Sequence, residues 1–183
     1  MIEISKESSL LSFIKIYRNS IPVNDCDLIL QELNEYNIVN YNWYDPENFD
    51  NNVDRTGLPI KTRVILYNHT IQNLDHYSRT IAQNKYSNLS PVYINKYSSG
   101  DYIPKHVDNN NLLFKDIFSG VPILTLIGLL NDTFIGGDVI MWNDHSIKLK
   151  KGDIMIFPSN FLYPHQIAII TSGFRYSFVR WAY

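Results

Sequence analysis

The sequence predicts an α+β fold with a jelly-roll core (a double-stranded β-helix) and N-terminal helices packed on one of its sheets. In the first half of the 183-residue chain, apolar residues recur at helical spacing. In the second half, short apolar or alternating segments are separated by turn residues at intervals of about 8–12 residues. Such a series of short strands is typical of a sandwich or jelly-roll barrel, and helices that precede it would cover one outer face.

The predicted helices lie before residue 91. Asn24 or Asp25 would cap the first helix. One face of that helix carries Cys26, Ile29, Leu30 and Leu33. Residues 61–67 (KTRVILY) are predicted as a strand, and a second helix is predicted over about 71–86. Residues 40–59 are rich in Asn, Asp, Pro and Gly, which predicts a long loop that is either an ordinary mobile loop or a lid over a site.

Strand patterns then follow one another to residue 183. The predicted strands are 91–97 (PVYINKY), 103–108 (IPKHVD), 121–130, 139–142 (VIMW), 146–149, 154–158 (IMIFP) and 174–183. Asn-Asp, Gly-Gly and Lys-Gly-Asp sequences mark turns between several of them. We therefore expect one domain over residues 1–183, with a helical support region at 1–90 and a jelly-roll core at 91–183.

Composition narrows the class of protein. Apolar residues make up 45% of the chain and charged residues 19%, a balance typical of a globular domain. The net charge of −2 and the lack of a basic stripe argue against nucleic acid as a partner. Cys26 is the single cysteine, so an internal disulfide is excluded, and a small core residue is its expected role. No signal peptide or long apolar span is evident, so we expect a cytoplasmic protein without a membrane partner.

A candidate metal site begins with His106 and Asp108. Side chains two residues apart on a strand point to the same side, so this imidazole and carboxylate would project together. His165, which follows the predicted strand 154–158 and its loop, is the candidate third ligand. Two histidines and one carboxylate on one face of a metal leave three positions open, the pattern of non-haem Fe(II) oxygenases. A bidentate 2-oxo acid would take two of these positions and O₂ the third.

Such an acid needs an anchor for its distant carboxylate. Arg175, on the predicted last strand, could pair with that carboxylate through two charge-assisted hydrogen bonds. Ser177 lies on the same strand face and could donate a further hydrogen bond, and the phenol of Tyr97 could add another. A lone HxD pair is weak evidence, because a surface histidine beside a turn aspartate is common. The added His165 and Arg175 make the pattern specific.

These motifs resemble the 2-oxoglutarate/Fe(II) oxygenase superfamily over residues 91–183. The matching run is Tyr97-x-x-Gly100, His106-x-Asp108, Gly136-Gly137, Lys151-Gly152-Asp153, Phe157-Pro158, His165 and Arg175. The strings HVDNN and RYSFVRWAY are most similar to the branch of prolyl 4-hydroxylases and hypoxia-sensor prolyl hydroxylases. The chain also resembles small phage and bacterial homologues of that branch.

The resemblance implies a catalytic core that requires Fe(II), 2-oxoglutarate and O₂, releases succinate and CO₂, and takes ascorbate as an optional stimulant. His106, Asp108 and His165 would hold the iron, and Arg175 would pair with the co-substrate. The implied reaction is hydroxylation of prolyl residues in a peptide or protein. Two alternatives stay open: an oxygenase of a free amino acid, another small molecule or a nucleobase, and a catalytically silent jelly-roll that only binds a partner.

The sequence departs from the family pattern at one position. Leu129 stands where the hypoxia-sensor enzymes have a tyrosine that helps to hold the C5 carboxylate, and Thr125, Tyr97 or Ser177 would substitute for it. The resemblance also implies that Trp181 faces the iron cavity. Tyr102 and Trp142 are further candidates for the substrate cleft. The alternative for Tyr102 is an ordinary strand aromatic, and the alternative for Trp142 is packing in the core or at the rim. The remaining histidines, His69, His76 and His145, are interpreted as surface or hydrogen-bonded residues.

Overall fold

The computed structural model describes residues 10–35, 58–83, 85–109 and 121–183, and it confirms the predicted α+β jelly-roll. Its elements, in chain order, are β1 (Lys15–Tyr17), α1 (Val23–Glu35), α2 (Ile60–Tyr77), β2 (Tyr93–Tyr97), β3 (Ile103–His106), β4 (Leu124–Leu129), β5 (Ile135–Gly136), β6 (Val139–Met141), β7 (His145–Ile147), β8 (Ile154–Pro158), β9 (His165–Ile167), β10 (Ile170–Ser172) and β11 (Arg175–Ala182). A π-helical turn, Ser78–Ala82, extends α2.

The larger sheet has five antiparallel strands in the order β1-β8-β4-β11-β2. Successive residues of a strand face opposite sides of a sheet. On β4, Leu124 and Leu126 therefore face the helices, whereas Thr125 and Ile127 face the interior of the jelly-roll. The same alternation on β11 directs Phe178 to the helices.

The smaller sheet has four strands in the order β3-β9-β6-β7, and β5 pairs with β10 in a separate two-stranded sheet. An apolar cluster joins the two main sheets. It contains Val139, Met141 and Ile167 from the smaller sheet and Phe157 and Val179 from the larger one. The candidate metal site lies between these sheets, next to that cluster.

The two helices cover the outer face of the larger sheet. Helix α1 begins at Val23, slightly before the predicted cap, and buries Cys26, Ile29 and Leu33 as its apolar spacing predicted. These three residues share one core cluster with Leu126 and other residues of the larger sheet. The sheet therefore has an apolar layer on each side, and the helices shield one of them.

The prediction of a strand at 61–67 is wrong, because these residues form the first part of α2. The predicted second helix over 71–86 is correspondingly the second part of α2 followed by the π-helical turn. Strand β1 was not predicted, and it adds an edge to the larger sheet from within the region assigned to helical support. The loop or lid predicted at 40–59 lies almost entirely outside the described residues.

Among the described residues, neither helix combines the length and the apolar character that are needed to cross a bilayer.

Cys26 is fully buried in the core beneath the helices, as predicted.

Candidate metal centre

The three predicted metal ligands converge at one end of the smaller sheet. Strands β3 and β9 are antiparallel neighbours, and His106 is the register partner of His165. Asp108 follows β3 by two residues and turns its carboxylate towards both rings. The side chains of His106, Asp108 and His165 each offer one ligand atom, and these atoms all lie within 4.8 Å of one another. Among the described residues, this is the only such group of three or more potential ligands.

Both imidazoles are oriented through their Nδ1 atoms. His106 Nδ1 lies 2.8 Å from the carbonyl oxygen of Pro104, and His165 Nδ1 lies 3.2 Å from that of Tyr163. A carbonyl can only accept, so we assign the Nδ1–H tautomer to both rings. Their Nε2 atoms then carry the lone pairs, and they lie 3.4 Å (His106) and 3.8 Å (His165) from the carboxylate oxygens of Asp108. Outer hydrogen bonds of this kind commonly orient metal-ligating histidines.

Asp108 is buried and accepts a hydrogen bond from the Thr125 hydroxyl, which itself contacts the Ser159 hydroxyl. Thr125 Oγ1 donates to Asp108 Oδ2 at 2.5 Å, and Ser159 Oγ lies 2.7 Å from Thr125 Oγ1. Burial by itself acts to raise the pKa of Asp108, but the nearby imidazoles and the Thr125 hydroxyl outweigh it and hold the pKa far below its ordinary value. The carboxylate is therefore ionised, which is the form that binds a metal.

The two histidines differ in their electrostatic surroundings. Burial acts to lower the pKa of His106, but in the protonated ring Nε2–H would donate to Asp108, and that bond, the charge of the carboxylate and the Pro104 carbonyl raise the pKa overall. For His165, which is more deeply buried, desolvation prevails over the attraction of Asp108 and lowers the pKa. Neutral His165 beside ionised Asp108 is a donor set suited to a divalent first-row transition metal.

Arg175 lies in the same cavity as the three ligands and is 1% exposed. Its Nη1 donates to Ser177 Oγ at 2.6 Å, and its guanidinium carbon lies 5.4 Å from the centre of the Tyr97 ring. Its Nε is buried without a hydrogen-bond partner, and no carboxylate of the described residues lies within ion-pair distance of the guanidinium. A buried guanidinium with an unused donor is suited to an anionic ligand.

The cavity that joins these groups has a volume of about 170 Å³. Its polar groups are the candidate ligands at one part and Arg175, Ser177, Tyr97 and Asn95 at another. Apolar side chains form much of the remaining wall: Ile103, Val107, Ile127, Ile167, Val179 and Trp181. Burial raises the pKa of the Tyr97 phenol to about 12, so the phenol stays protonated and can donate. The arrangement can hold a cation and an anion together in an apolar enclosure.

The other predicted site residues lie in different places. Trp181 lines the cavity, whereas Tyr102 is 59% exposed and lies outside its lining. Trp142 also lies outside the lining, and its indole Nε1 donates to the carbonyl of Leu162. Thr125 directs its hydroxyl to Asp108 and not to Arg175. Leu129 is buried opposite Ser177, on the strand next to Arg175.

Sequence reasoning did not identify Ser159 or Asn95. Ser159 follows β8, and it reaches Thr125 only because β8 and β4 are neighbours in the larger sheet. Asn95 lies on β2 directly opposite Ser177 and lines the cavity. No local pattern marks either residue. For Asn95, the alternation along β2 places it on the same face as the predicted site residue Tyr97.

The chain resembles known proteins in sequence and in fold. Residues 92–183 match the model of the 2OG-Fe(II) oxygenase superfamily. A PKHD-type hydroxylase of Idiomarina loihiensis is 29% identical over 96 residues, which are 51% of this chain and 42% of that protein. The chain thus spans less than half the length of this curated relative.

Two solved structures share the fold over nearly the whole chain. The 2OG complex of the viral collagen prolyl hydroxylase from Paramecium bursaria Chlorella virus-1 has a TM-score of 0.65 and 20% identity, and the match covers 93% of this chain and 94% of that one. A prolyl hydroxylase of Trichoplax adhaerens, in complex with a peptide fragment of the hypoxia inducible factor oxygen degradation domain, has a TM-score of 0.71 and 17% identity, with coverage of 97% and 86%.

Proposed function

This chain belongs to the 2OG-Fe(II) oxygenase superfamily, and we propose that it is an Fe(II)- and 2-oxoglutarate-dependent dioxygenase that hydroxylates prolyl residues of a peptide or protein. One observation carries the proposal: a single cavity contains a two-histidine, one-carboxylate set and a buried arginine with an unused donor. Iron, 2-oxoglutarate and O₂ would supply the oxidation of a C–H bond, coupled to decarboxylation of 2-oxoglutarate to succinate and CO₂.

Fe(II) would be held by Nε2 of His106, Nε2 of His165 and a carboxylate oxygen of Asp108. The donor set fits this metal, because imidazole nitrogens and a carboxylate on one face are the usual ligands of non-haem Fe(II). Thr125 donates to Asp108 Oδ2, so Oδ1 is the oxygen that we assign to the metal. Thr125 thus receives a different role from the co-substrate contact expected from the sequence: it would hold the metal-binding carboxylate.

Arg175 would bind the distant carboxylate of 2-oxoglutarate. Its Nε lacks a partner among the described residues, and a carboxylate can accept from two guanidinium nitrogens at once. Ser177, which already contacts Nη1 at 2.6 Å, and the protonated Tyr97 phenol would complete the contacts. Leu129 offers no polar group there, so Tyr97 and Ser177 would take the role of the tyrosine that the hypoxia-sensor enzymes have at this position.

The remaining residues of the cavity would exclude water and position the substrate. Ile127, Ile167 and Val179 line the same cavity as the ligands and Arg175 with hydrocarbon side chains. Exclusion of water strengthens the electrostatic contacts of a bound dianion. Trp181 would form the wall beside the reacting C–H bond. Tyr102 and Trp142 lie outside this cavity, and the proposal assigns neither of them a contact with the reacting atoms.

A peptide or protein is the proposed class of substrate. The solved neighbours named above are prolyl hydroxylases, and the complex of the Trichoplax enzyme with a peptide supports this class. The net charge of −2 agrees with it, because a dedicated nucleic-acid binder usually carries a basic excess. The proposal includes a single catalytic unit over residues 1–183, in which the jelly-roll holds the site.

The test measures succinate formation from 2-oxoglutarate with Fe(II), in the presence of proline-containing peptides, free amino acids or nucleosides. We expect peptides to stimulate turnover and mass spectrometry to find one added oxygen on proline. His106→Ala should abolish turnover, whereas His69→Ala is a matched control: His69 has similar side-chain exposure, 22% against 28%, and also lies near a carboxylate. If only amino acids or nucleosides stimulate turnover, the proposal of a prolyl substrate is refuted. If the chain binds no Fe(II), the proposal that it is an Fe(II)-dependent enzyme is refuted.

A further inference from the structure

Trp142 has a backbone conformation that is unusual for a large side chain. It is the first residue of the turn between β6 and β7, and its φ angle is +58°. Left-handed backbone is unfavourable for L-residues with a bulky side chain, and it persists only where the surrounding structure holds it. The contacts that hold Trp142 therefore indicate what its conformation achieves.

Trp142 makes two hydrogen bonds to the loop that precedes His165. Its backbone N–H donates to the carbonyl of Pro164 at 2.8 Å, and its indole Nε1–H donates to the carbonyl of Leu162 at 2.9 Å. The carbonyl between these two belongs to Tyr163, and it accepts from His165 Nδ1. Trp142 thus holds the peptide groups on both sides of the one that orients the candidate metal ligand.

We propose that Trp142 is a positioning residue for the metal ligand His165. With the carbonyls of Leu162 and Pro164 held, the Tyr163 carbonyl keeps its direction towards Nδ1. The Nδ1–H tautomer then keeps the Nε2 lone pair directed towards Asp108. Trp142 itself does not line the cavity that contains the candidate ligands and Arg175. Its effect on metal binding passes through the loop carbonyls alone.

Packing alone does not account for these contacts. The Trp142 ring lies 6.2 Å from the Tyr163 ring and 5.9 Å from the His145 ring, contacts that a phenylalanine could keep. Only the indole N–H can donate to Leu162. Trp142→Phe therefore removes the hydrogen bond while an aromatic ring remains, and Trp142→Gly removes the ring as well but relieves the positive φ.

The inference rests on the proposed function in one respect, that a divalent metal binds His106, Asp108 and His165. The experiment is calorimetric titration of the metal-free chain with Co(II), combined with thermal unfolding of the same metal-free samples. Outer hydrogen-bond partners of metal ligands typically contribute 10- to 100-fold to metal affinity. We expect Trp142→Phe and Trp142→Gly each to weaken Co(II) binding at least about 10-fold. Thr171→Val is the control, because it removes another exposed side-chain bond to a backbone carbonyl, at the two-stranded sheet.

The result distinguishes the two proposals. Parent-like Co(II) affinity in Trp142→Phe, with or without a lower unfolding temperature, would overturn the role of Trp142 and leave the metal site intact. If the Phe variant does not fold, Trp142→Gly decides, and parent-like affinity in that variant would overturn the role equally. A parent chain that binds neither Co(II) nor Fe(II) would overturn the proposed function as well. An affinity loss in Thr171→Val equal to that of Trp142→Phe would also contradict the specific role.

Discussion

Replacement of Arg175 by methionine should separate binding of the co-substrate from stability of the fold. The methionine keeps an unbranched apolar side chain beside Tyr97 and removes the guanidinium. Arg175 is 1% exposed, and in the described structure its charge meets a hydroxyl but no carboxylate. The charge is therefore costly to bury without a ligand and favourable with one.

The magnitude follows from the contacts. Removal of one partner of a buried, hydrogen-bonded charge pair typically costs about 2–5 kcal/mol in binding. With about 1.4 kcal/mol for each tenfold change, the dissociation constant of 2-oxoglutarate should rise roughly 30-fold to several thousand-fold. Without co-substrate, relief of the desolvated charge opposes the loss of the Ser177 partner. We therefore expect the free energy of unfolding to change by less than about 3 kcal/mol.

The assay is calorimetric titration of 2-oxoglutarate into the metal-loaded chain under anaerobic conditions, with urea unfolding of the co-substrate-free protein. Arg180→Met is the matched control, because Arg180 is a buried arginine on the same strand that faces the helices. It donates to the Ser90 carbonyl at 2.9 Å and to Thr70 Oγ1 at 2.6 Å. That variant should lose stability and keep its 2-oxoglutarate affinity. An unchanged affinity in Arg175→Met, or equal losses of affinity in both variants, would refute the assignment.

Three further predictions concern other parts of the molecule. Thr125→Val should weaken Fe(II) binding about 10- to 100-fold, and Thr125→Ser should restore it; equal affinities in titration would contradict the hydroxyl's role. Gly128→Ala would place a methyl group 2.0 Å from the Phe178 ring, so urea unfolding should show a loss of about 1–3 kcal/mol, and an unchanged midpoint would argue against this packing. Cys26 is buried and burial raises the pKa of its thiol to about 11, so iodoacetamide at pH 8 should label it only on unfolding. As the pH rises, the thiol ionises in the unfolded chain before it does in the folded chain, so the free energy of unfolding should fall between about pH 8.5 and 11. Rapid labelling of the native chain would contradict the burial of Cys26.

Strands whose ends carry their own turn signals could be predicted closely from the sequence. The prediction of a strand at 154–158 agrees with β8, because Gly152 at φ +83° supports a turn before it and Pro158 limits it after. The short strands β5, β9 and β10 have two or three residues each and were not predicted separately. Segments this short show too few alternations for a period to be recognised.

The start of α2 could not be predicted because its stabilising contacts are distant in sequence. Thr62, Val64 and Ile65 are β-branched and favour a strand locally. In the fold, however, the Glu32 carboxylate of α1 accepts hydrogen bonds from both the backbone N–H and the hydroxyl of Thr62. This is a cap for the first turn of α2, and it exists only once the two helices are adjacent.

In the candidate site too, residues close in sequence could be predicted, whereas contacts between distant parts of the chain could not. His106 and Asp108 are close in sequence, and their spacing on a strand predicted at 103–108 brought them together in the prediction. In the structure β3 ends at His106, and Asp108 reaches the site from the residues just after the strand. The contacts of Thr125 with Asp108 and of Trp142 with Leu162 join separate parts of the chain. They follow from the positions of β4 and β6 in their sheets, and no motif of the sequence encodes those positions directly.

A crystal structure of the chain grown anaerobically with Fe(II), with anomalous scattering measured at the iron edge, would test the metal site most directly. We predict one strong peak per chain between Nε2 of His106, Nε2 of His165 and the carboxylate of Asp108, and no peak there in Asp108→Ala. A peak at another position, or an undiminished peak in that variant, would contradict the metal site on which the proposed chemistry depends.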